Sequence, residues 1–278
     1  MDKIMRSRIN LTIITLFITA GTAFSQSKHT LSSGAGKEHF FNGMMLALNF
    51  SGKSFNIDYD YEKYMKHNWK TFLNVNLAGA PSLNLSENFP VKPYYDTRVI
   101  DIDVNLNTVF LKKIFEKGNF SFHTGFISSL QYNYNYLKMK HKYEIIEASQ
   151  FYEVSTSYSV KVNLSEGIAT ALRLKWKQFT FQDITSCLLF AACLHPNYAD
   201  DNPIYNNGNF KDYFVLATIN QRNCLTNKFK VEIPLNMKGK SAKGLAITHN
   251  LRYEHSTIKD NIFHRFSNIF YIGIIFGL

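Results

Sequence analysis

Near the end of the chain Arg252, Tyr253, Glu254, His255, Ser256 and Thr257 follow one another. These are the residue types of an acyl-transfer site: an imidazole that can act as base, and hydroxyls that can act as nucleophile. In an extended chain side chains alternate between two faces, so residues two apart project together. His255 and Thr257 therefore share a face with Leu245, Ile247, Leu251 and Tyr253, while Ser256 points the other way. A hydroxyl nucleophile needs an aligned base, and the base needs a group that orients it. His249 shares the His255 face but lies six residues away, too far for both to hold one metal, and His123, His195 and His264 stand isolated in the sequence. Cys187, Cys193 and Cys224 form no CxxC or zinc spacing and read as small apolar fillers. Cys187 and Cys193 share the parity of one straight strand, which puts a bridge between them out of reach. No carboxylate pair is placed for acid–base work, and no metal or other cofactor is expected.

The second chemistry is ionic. Asp58 and Asp60 alternate with Phe55, Ile57, Tyr59 and Tyr61, and Asp101 and Asp103 alternate with Ile100, Ile102 and Val104. Lys161, Arg173, Lys175, Lys230, Glu232, Arg252 and Glu254 likewise take the polar side of alternating stretches. Both signs occur in similar numbers. Such a face either lines a hydrated channel or is a set of charges that pair with one another inside a narrow barrel. No single-sign ladder of an ion-selective pore appears.

The elements that must carry these residues are strands. In residues 266–278, Phe270, Ile272, Ile274, Phe276 and Leu278 alternate with Ile269, Tyr271, Gly273, Ile275 and Gly277. A strand this apolar is an aggregation hazard unless closed over, and lipid tolerates strands only as a closed barrel. At the other end, basic Lys3, Arg6 and Arg8 precede an apolar run over residues 11–24 and the small-residue site Ala23, Phe24, Ser25. This predicts a cleaved signal peptide over 1–25. The longest later apolar run, 187–194, is far too short for a spanning helix, which needs about 20 residues. Composition is 15% aromatic and 19% charged, suited to strands with one lipid face and one polar face, and the formal net charge of +10 comes with no nucleic-acid motif.

Read in order, the pattern predicts a flexible lead-in over 26–37 and a barrel domain over 38–278. The first strand is expected over 39–50, with a tight turn at Ser51, Gly52 and Lys53, and a short turn at Ser165, Glu166 and Gly167 separates the sixth strand from the seventh. Strands are expected over 179–192, 211–221, 228–237 and 244–257 before the terminal one, and the 179–192 stretch is poorly patterned. The total is about twelve, with ten or fourteen as alternatives. Twelve places loops 80–97 and 133–149 at one end but 193–209 at the other.

Taken together, the leader, the even strand count and the terminal aromatic strand resemble a Gram-negative outer-membrane β-barrel, all-β and antiparallel up-and-down. The resemblance implies an outer-membrane location, contact with lipid and lipopolysaccharide, and recognition of residues 266–278 by the barrel-assembly machinery. It implies a non-catalytic protein, a narrow pore or a structural, surface-interaction barrel. The alternative is lipid hydrolysis: His255 on an outward face of the penultimate strand, two residues before a hydroxyl, resembles the outer-membrane lipid A deacylases. That family reads His-x-Ser-Asn, whereas here His255 is followed by Ser256, Thr257 and Ile258, and Ser267 and Asn268 stand where its orienting Glu would be.

Overall fold

The computed structural model describes residues 27–42, 48–65, 67–85, 95–141, 155–194, 214–235, 242–258 and 261–277. The expected signal peptide lies outside the described residues. The strands are β1 (Ser27–Asn42), β2 (Leu48–Tyr64), β3 (Trp69–Leu85), β4 (Tyr95–Lys117), β5 (Phe120–His141), β6 (Ser155–Trp176), β7 (Phe179–Leu194), β8 (Phe214–Thr218), β9 (Arg222–Pro234), β10 (Ala242–Ile258) and β11 (Asn261–Gly277). Each of β1 to β7 pairs antiparallel with the next, β7 pairs with β9, β9 with β10 and β10 with β11. β11 returns to β1 from Lys28↔Gly277 to Asn42↔Phe263, which closes the barrel.

Ten strands make the ring, not twelve, and local chemistry explains each difference. Glu166 and Gly167 lie inside β6 rather than in a turn. Gly167 is there because the Cys187 carbonyl of β7 passes through the space a Cβ would need. The strands expected over 211–221 and 228–237 lie end to end on one edge of β7. β8 pairs with its far end (Leu194↔Phe214) and β9 with its near end (Leu188↔Cys224). Between them residues 219–221 turn, with the Gln221 N–H donating to the Thr218 carbonyl at 2.9 Å. β8 is thus a short eleventh segment outside the ring count.

The lead-in over 26–37 is also corrected, because 27–37 belong to β1 and bond to both β11 and β2. Its two glycines stand where β11 leaves no room for a Cβ. A Cβ on Gly34 would lie 2.5 Å from the ring of its register partner Tyr271. Ser51, Gly52 and Lys53 sit within β2 at a bulge against β3, not in a turn.

β7 lost its pattern through a bulge. Glu166↔Phe190 and Gly167↔Leu188 leave Leu189 as an extra residue, which shifts the alternation by one. Leu188 and then Ala191 and Cys193 face inward, while Phe190 and Leu194 face outward. Cys187 and Cys193 therefore lie on opposite faces, a correction to their expected shared parity, and all three cysteines are free.

With ten strands, connections 86–94, 142–154 and 195–213 all fall at one end, including the one twelve strands would misplace. The other end holds the start of β1, the end of β11 and further connections, among them the two-residue turns 118–119 and 177–178. His67 and Asn68 there both have positive φ, as does Gly118, the backbone geometry that matches strand twist. The outward face is apolar across the ring, with Ile57, Phe270 and Ile272 all exposed. Near the turn end it carries aromatic pairs such as Trp69 with Phe126 and Trp176 with Phe179.

Gly34→Val forces overlap with Tyr271 and the Phe270 carbonyl. It is expected to cost about 1–3 kcal/mol in denaturant unfolding. Gly79→Ala, whose Cβ meets nothing within 4 Å, should leave the midpoint unchanged.

Candidate functional site

The inward face is where the charged residues meet. Asp58, Asp101, Asp103, Lys161, Lys230, Glu232 and Glu254 are buried inside the ring, and Asp60 and Arg252 are mostly so. Arg173 reaches the Tyr64 hydroxyl near the turn end, whereas Lys175 is exposed there. Buried ions require partners that replace their hydration, and the lumen supplies them in two tiers.

The tier nearer the turn end is a lysine–carboxylate chain. Lys28 binds Glu62 at 2.9 Å and Glu232 at 2.5 Å, and Lys70 also binds Glu62. Lys230 reaches Asp60 at 3.4 Å and Glu232 at 3.5 Å, and Lys228 holds Asp58 and Asp60 at 2.6 Å each. Asn74 donates to Asp58 at 2.7 Å and to Asp60 at 3.0 Å. Among the described residues four ammonium groups (28, 70, 228, 230) thus face four carboxylates (58, 60, 62, 232).

The tier nearer the loop end is built on arginines, whose planar fork suits several carboxylates at once. Arg265, 1% exposed, contacts Glu38 at 3.0 Å, Asp101 at 2.6 Å and Asp103 at 3.2 Å. Arg252 binds Asp103 at 2.5 Å and Glu254 at 2.7 Å, and Arg222 binds Glu254 at 2.8 Å. Gln131 accepts from Arg222 at 2.7 Å and donates to Asp103 at 3.0 Å. Lys161 adds a fourth cation, its ammonium 3.6 Å from the Phe263 ring centre.

These contacts cross the barrel. β10 and β4 stand five places apart on the ring of ten, so Arg252 and Asp103 join opposite walls. Lys228 to Asp58 links β9 with β2, and Arg265 to Asp101 links β11 with β4. Between the tiers Phe72, Val109, Ile127 and Leu188 form an apolar patch, and Asn74, Asn76 and Tyr271 line the same space. The cavity they leave is about 110 Å³. A small-molecule site takes roughly 300 Å³ or more.

The other candidate lies outside this lumen. His255 and Thr257 face outward near the loop end, and Ser256 is buried inward. The group meeting His255 is His264, its register partner, with the two Nδ1 atoms 3.0 Å apart. The imidazole expected to stand isolated at 264 thus occupies the side of His255 where an orienting carboxylate would be sought. Lys28, Glu38, Arg222 and Arg265 were not anticipated as lumen residues. For Arg265 a signal existed: it shares the parity of Ser267, Ile269 and Tyr271, one residue before the expected strand start.

Solved structures share this architecture. The outer membrane protease OmpT from Escherichia coli aligns over 91% of this chain and 97% of its own, with a TM-score of 0.50 and 6% identity. This is the outer-membrane barrel fold. Ail, the attachment invasion locus protein of Yersinia pestis, aligns over 90% of this chain and 99% of its own at 11% identity and a TM-score of 0.34. Neisserial surface protein A aligns over 90% and 97% at 8% identity and a TM-score of 0.33. At 6% identity the likeness to OmpT is one of fold. No protein-family model and no curated protein matches the sequence.

Arg265→Ala leaves Glu38, Asp101 and Asp103 buried around a missing cation. The expected loss is about 3–5 kcal/mol in denaturant unfolding. Lys175→Ala, at an exposed strand end, should fall within about 0.5 kcal/mol of the parent.

Proposed function

We propose that this chain is an exported, integral outer-membrane protein whose barrel is closed by its own side chains and which acts without catalysis, as a structural or loop-presenting barrel. The turn end then faces the periplasm and the long connections face outside, the usual arrangement of such barrels. Residues 266–278, apolar at every second position from Phe270 onward and paired with β1 as far as Gly277, serve as the signal to the barrel-assembly machinery. The outward apolar face contacts outer-membrane lipid and lipopolysaccharide.

The observation that carries the closed reading is the Arg252–Asp103 contact between opposite walls, at 2.5 Å. A channel needs its centre free, and here the centre holds a guanidinium and a carboxylate. The near balance of signs in each tier favours mutual pairing over attraction of mobile ions. Against hydrolysis stands the partner of His255, a second imidazole in place of an orienting carboxylate.

In a planar bilayer the folded protein, verified by its heat-shifted gel mobility, is expected to show no discrete conductance steps. Steps of uniform size would replace this reading with a narrow pore. In cells, His255→Ala is expected to leave the acyl-chain profile of lipopolysaccharide unchanged, and loss of a deacylated species in that variant would establish the hydrolase.

A further inference from the structure

Two lysines on the outer wall stand apart from the partnered ions of the lumen. Lys37 of β1 and Lys53 of β2 are register partners, and both face outward and are exposed. Like charges directly opposite each other repel. Among the described residues neither ammonium has an ion pair or hydrogen bond, in contrast to Lys28, Lys70, Lys228 and Lys230 of the lumen. Their height is set by the strands. Lys37 lies nine residues from Lys28 at the turn end, roughly 23 Å along the barrel axis for a strand rising about 3.3 Å per residue at a tilt of about 40°. That is the far edge of an apolar band about 25 Å tall.

Directly below them the outer wall is concave. Ser33 and Ala35 give a shallow floor, and Phe55 and Ile57 of β2 and Phe270 and Ile272 of β11 rise on either side. Ala35 is the register partner of both Phe55 and Phe270, and Lys37 and Lys53 come two residues further along β1 and β2. A groove one strand wide thus ends at two ammonium groups that have no partner among the described residues.

We propose that this groove binds a phosphate-bearing acylated lipid of the outer leaflet, with one acyl chain over Ser33 and Ala35 and the phosphate between Lys37 and Lys53. Lysine is a point-charge phosphate binder, and a dianionic group between the two ammonium groups removes their repulsion. The proposal rests on the outer-membrane placement but not on a closed lumen, so channel activity would leave it standing.

The test is native mass spectrometry of the detergent-purified protein titrated with phosphorylated lipid A. The parent is expected to retain one lipid through collisional release of detergent. Each lysine near an anionic lipid surface contributes about fivefold, so Lys37→Ala with Lys53→Ala should weaken binding about 30-fold while heat-shifted mobility stays intact. Dephosphorylated lipid A should bind the parent as weakly as phosphorylated lipid A binds the double variant, and millimolar inorganic phosphate should not displace the lipid. Ala35→Trp, which fills the floor and keeps both lysines, should weaken binding at least tenfold. Equal affinity of parent and double variant overturns the proposal. So does full displacement by inorganic phosphate, which would make the site one for a free ion. Unchanged lipid binding with a shift from dimer to monomer in Ala35→Trp would instead assign the groove to a second copy of the chain.

Discussion

A charge inside a narrow barrel has protein around it and lipid beyond, so its hydration must be replaced by a partner of opposite sign. That constraint organises the lumen. Arg265 is 1% exposed and survives there because three carboxylates surround it. Each of those carboxylates comes from a different strand position than the cation, so satisfying the charge also ties walls together. Where the wall carries Phe72, Val109 and Ile127 instead, no partner is needed, and the small remaining cavity sits beside them. Outside the ring the same rule motivates the proposed lipid site: among the described residues Lys37 and Lys53 have no partner, and an anionic headgroup would supply one.

Filling the lumen has a steric consequence on the strand that closes it. Tyr271 projects inward and lies against Gly34, its register partner, and its hydroxyl accepts from Asn76 of β3 at 3.1 Å. A large residue at position 34 would have nowhere to go. Gly34 is therefore the inward complement of Tyr271, and its neighbours Ser33 and Ala35, on the other face of β1, form the floor of the outward groove. Closure of the barrel, occupation of its centre and the shape of its outer wall meet at one strand pair.

Much of this was legible as period-two alternation. Parity alone placed Asp58, Asp60, Asp101, Asp103, Glu232 and Glu254 on the polar face and Phe270 and Ile272 on the apolar one. What parity cannot give is who meets whom. Arg252 and Asp103 are 149 residues apart in the chain, and Arg265 and Asp101 are 164 apart, so their contacts exist only once the ring closes. The strand count failed where one residue type serves two ends. Gly167 has the composition of a turn but is small because a neighbouring backbone crosses it, and Gly34 is small because Tyr271 is large. Leu189 hid the β7 pattern by adding one residue to it. His264 read as isolated because its partner, His255, is set by the β10–β11 register rather than by spacing.

Side chains from opposite walls meet in the middle of the barrel. A double-mutant cycle on Asp103→Asn and Arg252→Met, read by denaturant unfolding, measures that meeting directly. Residues in contact within one ion network couple by about 0.5–3 kcal/mol, and this account predicts a coupling in the upper part of that range. Costs that add to within about 0.3 kcal/mol would show two side chains that do not touch, and a lumen open along its axis.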